Sequence, residues 1–133
     1  MKNNKYYRVY AEINLDAIVK NVDNLMALTK ENTGALAVVK ADGYGHGDVA
    51  VAKAVAQKVT GYAVATLDEA VNLRENGVKK PILVLGYVDP YEFDILVSHE
   101  ITATVFDVET AQLLADAARV QKKQAHCHIK VDT

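Results

Sequence analysis

An α/β fold with parallel strands is what this sequence predicts, on three features of the chain. Short runs of branched or small apolar residues recur along its 133 residues. Between them lie longer stretches whose apolar positions return at every third and fourth residue, the helical period. Each strand-like run is separated from the next by a helical one, and a right-handed crossover uses such a helix to return the chain to the same sheet edge.

The first strand is expected over 6–13. Asn14-Leu15-Asp16 follows, with polar side chains able to cap a helix whose apolar stripe is Leu15, Ile18, Val22, Leu25, Met26 and Leu28, and Gly34 is expected to end it. Five more strands are expected over 35–40, 61–65, 82–85, 101–105 and 125–131. The helices between them are expected over 48–58, 67–76, 90–98 and 108–121. Asp48 can cap the first of these, and Asp68-Glu69 gives the next an acidic first turn that suits the helix dipole. Lys79-Lys80 before Pro81 reads as a solvated turn, and Leu113, Leu114, Ala117 and Ala118 as a helix face against the sheet.

Units of roughly 20 to 26 residues fit an open doubly wound sheet or a closed eight-unit barrel equally well. A full barrel takes about 250 residues, so this chain would hold only its first half or so. Residues 125–131 read as a strand with no helix after it, as if the sequence stopped in mid-fold.

Composition narrows the function. Fifteen basic and 17 acidic residues, well mixed, leave a formal charge of -2 and no field for gripping nucleic acid or an anionic membrane. No apolar run approaches the ~20 residues of a membrane helix, and the first residues lack the apolar core of a secretion signal, so a cytoplasmic location is expected. Cys127 is the single cysteine and closes no internal disulfide. His126 and His128 stand two apart without a third ligand in an obvious place, so no metal site is expected.

The most informative stretch is Ala37-Val38-Val39-Lys40-Ala41-Asp42-Gly43-Tyr44-Gly45-His46-Gly47. Alternation places Leu36, Val38 and Lys40 on one strand face and Ala35, Ala37 and Val39 on the other. Lys40 then ends an apolar face at the carboxyl edge of a sheet, where parallel α/β folds gather active sites, and a desolvated amine there suits imine chemistry. The alternative is a rim lysine whose stem packs on the sheet while its ammonium reaches water. Gly43, Gly45 and Gly47 either let backbone amides approach an anion or make a plain flexible turn, since their spacing is neither dinucleotide fingerprint nor P-loop. Tyr44 could donate a hydrogen bond to a ligand phosphate or plug the loop as an aromatic. In 125–131, His126, His128, Lys130 and Asp132 share one face and Cys127, Ile129 and Val131 the other; the polar face points inward in a barrel, or is solvated at a surface edge.

The string Val39-Lys40-Ala41-Asp42-Gly43-Tyr44-Gly45-His46-Gly47 resembles the pyridoxal phosphate attachment motif of alanine racemases, and Tyr10-Ala11-Glu12-Ile13-Asn14-Leu15-Asp16-Ala17-Ile18 resembles their opening. The likeness runs over essentially the whole chain to His128-Ile129-Lys130-Val131-Asp132-Thr133. A local departure is Asp42-Gly43, where many members carry Asn-Ala. The resemblance implies the amino-terminal part of a TIM-type (β/α)8 barrel over 15–133, about five βα units, with residues 1–14 forming a strand that joins a carboxyl-terminal β domain. It implies pyridoxal 5'-phosphate as cofactor and interconversion of L- and D-alanine for peptidoglycan by a homodimer in the intact enzyme, the 133-residue chain being inactive alone. Lys40 would carry the cofactor and serve as base on the D face of the alanine Cα, Tyr44 would bind the phosphate, and Lys130 would match a lysine that can be carbamylated to orient an arginine. The second base would be a tyrosine of the partner subunit. A pyridoxal phosphate-binding protein without catalysis, or a related enzyme acting on serine or another amino acid, are the alternatives.

Overall fold

A computed structural model describes residues 9–131. Five parallel strands lie in the order in which the chain makes them. β1 (Leu36–Val38), β2 (Gly61–Val64) and β3 (Ile82–Val84) pair side by side, and β4 (Ala103–Val105) pairs with β5 (Cys127–Ile129). A bridge between Leu83 and Thr102 joins the two groups: Thr102 N–H donates to the Ile82 carbonyl at 2.8 Å and Val84 N–H to the Thr102 carbonyl at 2.9 Å. This order decides between the two architectures left open by periodicity. A doubly wound sheet reverses at a switch point, whereas strands that always step the same way place every right-handed crossover helix on one face, as a barrel does. The described residues form part of such an arrangement, with no closed barrel among them.

The helices begin where side chains can take their free amides. Asn14 accepts from Ala17 N–H at 3.0 Å to start α1 (Leu15–Met26). A short turn, α2 (Lys40–Gly45), precedes α3 (Asp48–Ala54). Thr66 and Glu69 form a reciprocal capping box at α4 (Leu67–Glu75). A 3-10 turn, Pro90–Glu92, leads into α5 (Phe93–Ser98), and Asp107 caps α6 (Val108–Val120).

Register divides the strand residues between two faces. Ala37 pairs with Tyr62 and Tyr62 with Ile82, and this face, with Val39, Val64, Val84, Ala103 and Val105, packs on the helices as the core. Tyr62 is buried there, its hydroxyl donating to the Ala52 carbonyl at 2.6 Å, and burial holds its pKa above the ordinary 10.0. Val38, Ala63 and Leu83 pair along the opposite, inner face, where Leu36 and Val38 are 42% and 43% exposed. At the amino-terminal ends of the strands Arg74 spreads its guanidinium over four carbonyls, those of Val78, Lys80, His99 and Glu100, at 2.8 to 2.9 Å.

Several expectations change. The first strand, placed over 6–13, lies partly outside the described residues; over 9–13 the backbone pairs with no strand, and Val9 and Tyr10 are exposed. α1 ends at Met26, well before Gly34: Leu28 is exposed, and the Thr29 hydroxyl takes the Met26 carbonyl at 2.7 Å. Asp48 is the first helical residue rather than the cap, which is Gly47. Lys80 is not simply solvated, since its ammonium donates to the Val59 carbonyl.

Candidate active site

β1 ends at Val38; Val39, 2% exposed, leaves the extended conformation (φ -121, ψ 21), and half-buried Lys40 follows it as the first residue of α2. Lys40 therefore stands just past the carboxyl end of β1. Directly behind it the chain makes a left-handed turn. Ala41 (φ 51, ψ 53), Asp42 (φ 54, ψ 45), Gly43 (φ 59, ψ 36) and Tyr44 (φ 56, ψ 38) all occupy the left-handed helical region. Outside glycine that conformation costs roughly 1–2 kcal/mol per residue, so Ala41, Asp42 and Tyr44 together hold about 3–6 kcal/mol of strain. A flexible glycine turn would carry none of it.

Hydrogen bonds over-determine the conformation. Gly43 N–H donates to the Val39 carbonyl at 2.9 Å, closing the turn, and Gly47 N–H donates to the Asp42 carbonyl at 2.8 Å. The Asp42 carboxylate accepts from Asp48 N–H at 3.2 Å, and Asp48 in turn accepts from the Asn72 amide at 2.9 Å. Glu69 Oε1 accepts from Ala41 N–H at 2.7 Å, while its Oε2 accepts from Ala65 N–H at 2.7 Å and Thr66 N–H at 3.3 Å. Gly43 is buried, and a Cβ at that position would come within 3.2 Å of the Asp48 nitrogen. The Asp42-Gly43 departure thus suits the turn: aspartate tolerates the left-handed region better than most residues, and glycine enters it freely.

Several amides of the turn are already engaged. Ala41, Gly43, His46 and Gly47 N–H groups are all taken by protein acceptors. What it holds out instead is Tyr44, 60% exposed and one left-handed turn from Lys40. Lys40 and Tyr44 thus belong to the same six-residue turn. Lys130 lies apart from them: it follows β5, at the far end of the strand order from β1. Its N–H donates to the Val105 carbonyl at 2.9 Å and its ammonium lies 5.7 Å from the centre of the Phe106 ring, a cation–π contact. On β5 Cys127 and Ile129 pair with the core-facing Ala103 and Val105, and His128 with Thr104, so the polar face looks inward. Asp132 lies outside the described residues.

Residues 13–133 match the family model described as alanine racemase, N-terminal domain. The chain belongs to the alanine racemase family. Alanine racemase 1 of Bacillus subtilis is 46% identical over 136 residues, covering all of this chain and 34% of that protein. Alanine racemase 1 of Oceanobacillus iheyensis is 42% identical over 134 residues, again covering all of this chain and 36% of its own length. Among solved structures, alanine racemase of Clostridium difficile 630 in complex with cycloserine superposes with a TM-score of 0.92 at 41% identity, over 96% of this chain and 34% of that one. The chain thus spans about a third of the length of the relatives it matches, and its fold is of the TIM-barrel type of that amino-terminal domain.

Sequence reasoning missed two residues. Glu69 was assigned only to the helix dipole, although Thr66-Leu67-Asp68-Glu69 spells the capping-box pattern; its bond to Ala41, 28 residues away, has no local signal. Arg74 had no signal at all, because its partners are backbone carbonyls brought together by the fold.

Proposed function

We propose that this chain forms the lysine-bearing wall of a pyridoxal 5'-phosphate-dependent racemase that interconverts L- and D-alanine. The observation that carries the reading is Lys40 at the carboxyl end of β1, held by a strained left-handed turn of a racemase-family barrel. Strain of this kind persists only where the surroundings over-determine it, and it clusters at functional sites.

The residues fit the cofactor in chemistry and in access. Lys40 offers a half-buried primary amine that can bind an aldehyde covalently, and Tyr44 offers an exposed phenol that can donate to a phosphate. When bound, pyridoxal phosphate supplies an electron sink for the substrate Cα. Lys40 Nζ then holds and moves the proton on the D face of that carbon. Lys130 takes the role of the carbamylated lysine: as a carbamate it loses its cation–π contact with Phe106 and gains an anionic acceptor for an arginine. The second base is a tyrosine from the partner subunit of a homodimer. Residues 15–133 make about five βα units of the barrel, and residues 1–14 join a carboxyl-terminal β domain. The enzyme works in the cytoplasm, supplying D-alanine for peptidoglycan.

Borohydride reduction in the presence of pyridoxal phosphate, followed by peptide mass spectrometry, tests the site. A pyridoxyl group concentrated on Lys40 is expected, lost in Lys40→Ala; label spread evenly over surface lysines would refute the assignment. In the intact enzyme Lys40→Arg is expected to slow D-alanine formation roughly a thousandfold.

A further inference from the structure

The left-handed turn raises a question of satisfaction. Its closing bond runs from Gly43 N–H back to the Val39 carbonyl, so the amides before Gly43, like those in the first turn of any helix, have no partner within the turn. Ala41 N–H finds one across the fold in Glu69 Oε1, at 2.7 Å. That amide belongs to the peptide plane joining Lys40 to Ala41, so fixing it fixes the orientation of the Lys40 backbone and the direction in which its side chain leaves the strand. The other oxygen of the same carboxylate takes Ala65 and Thr66 N–H at the carboxyl end of β2. The Thr66 hydroxyl takes no part in these bonds: it accepts from Glu69 N–H at 3.3 Å and caps α4. One side chain therefore ties the carboxyl end of β1 to that of β2, and both to the start of α4.

We infer that Glu69 is a positioning residue: its carboxylate clamps the Lys40–Ala41 peptide in its strained geometry and so aims the Lys40 amine at its ligand. The inference rests on the reading of Lys40 as the pyridoxal phosphate-binding amine, and it assigns Glu69 no contact with substrate or cofactor. An isosteric amide cannot replace the carboxylate. Glutamine has one acceptor oxygen, and its NH2 would face an N–H donor at either Ala41 or the Ala65–Thr66 pair. Thr66→Ala is the matched control, because it removes the hydroxyl that caps α4 but leaves the backbone donors that Glu69 accepts from.

The experiment compares wild type, Glu69→Ala, Glu69→Gln and Thr66→Ala in the full chain with two readouts. Amide hydrogen exchange at Ala41, measured without cofactor, reports the clamp; borohydride-trapped adduct at Lys40, at limiting pyridoxal phosphate, reports the aim of the amine. Exchange at Ala41 is expected to be at least tenfold faster in Glu69→Ala, with adduct yield reduced several-fold; Thr66→Ala should leave both near wild type. Glu69→Gln should fall between, and as the isosteric variant it carries both readouts if Glu69→Ala does not fold. Unchanged exchange at Ala41, or an adduct yield equal to wild type, overturns the inference. Absence of any adduct at Lys40 in wild type overturns the reading of Lys40 instead, and the exchange result then decides the clamp alone.

Discussion

Arg74 and Lys40 occupy opposite ends of the same sheet, and the division of labour between those ends can be tested one residue at a time. In parallel barrels the carboxyl ends of the strands carry chemistry and the amino ends carry stability. Arg74 sits at the amino ends, its four hydrogen bonds all going to backbone carbonyls that lead into β3 and β4. Burial pulls its pKa down from the ordinary arginine value and the nearby Glu100 pushes it back, yet a guanidinium so far from its titration range stays charged. Replacing it with alanine leaves several half-buried carbonyls without a donor, a loss of about 2–3 kcal/mol. Denaturant unfolding of Arg74→Ala should show that loss while borohydride trapping at Lys40 stays at the wild-type level. A variant that kept its stability, or lost the adduct while still folded, would contradict the division.

Among the elements, α6 offers the clearest dependence on pH. Its cap, the Asp107 carboxylate, accepts from Thr110 N–H at 2.7 Å, and that backbone bond, with the Thr110 side chain second, holds its pKa below the ordinary 3.8. A depressed carboxylate contributes stability above the unfolded value and loses it as pH falls through the folded one, so the first turn of α6 should loosen in acid below 3.8. Asparagine caps as well as aspartate and does not titrate, so Asp107→Asn should remove this acid sensitivity from the amide exchange of the first turn. An unchanged acid response in that variant would place its origin elsewhere. The capping residues also show what the sequence made legible. Asn14 caps α1 as its polar side chain suggests, and helical turns begin at Leu67, Pro90 and Val108 where the apolar period sets in, although the caps Thr66, Asp89 and Asp107 are seen only in the structure. The strands lie within the apolar runs that predicted them. The left-handed turn was not legible, because Ala41 and Tyr44 are not residues that choose that region; bonds to distant partners such as Glu69 force them into it. The end of α1 was misread for a related reason, since Gly34 is a stop signal with no helix left to stop.

At the scale of the whole molecule, the five-strand array leaves one face and two edges to account for. Core packing lies entirely between the sheet and its helices, so Leu36 and Val38 on the inner face remain some two-fifths exposed. Among the described residues β1 and β5 each pair with a single strand, leaving one edge of each free. An apolar groove lined by Ile18, Val22, Leu25, Val51 and Val55 flanks β1, and a mixed one, with Leu114 and Ala118 beside Arg119, Lys123 and His126, flanks β5. Exposed strand edges beside apolar surface are templates for pairing with another chain. A polypeptide of these 133 residues should therefore self-associate, with sedimentation showing larger species as its concentration rises. Inward-pointing charge opposes such pairing, so Val38→Lys, on the inner face beside Lys40, should shift the distribution towards monomer without disturbing the helices. Circular dichroism would check the helices, and a wild-type chain that stayed monomeric at every concentration would show that the open face is tolerated in water and that the edges are protected by some means other than pairing.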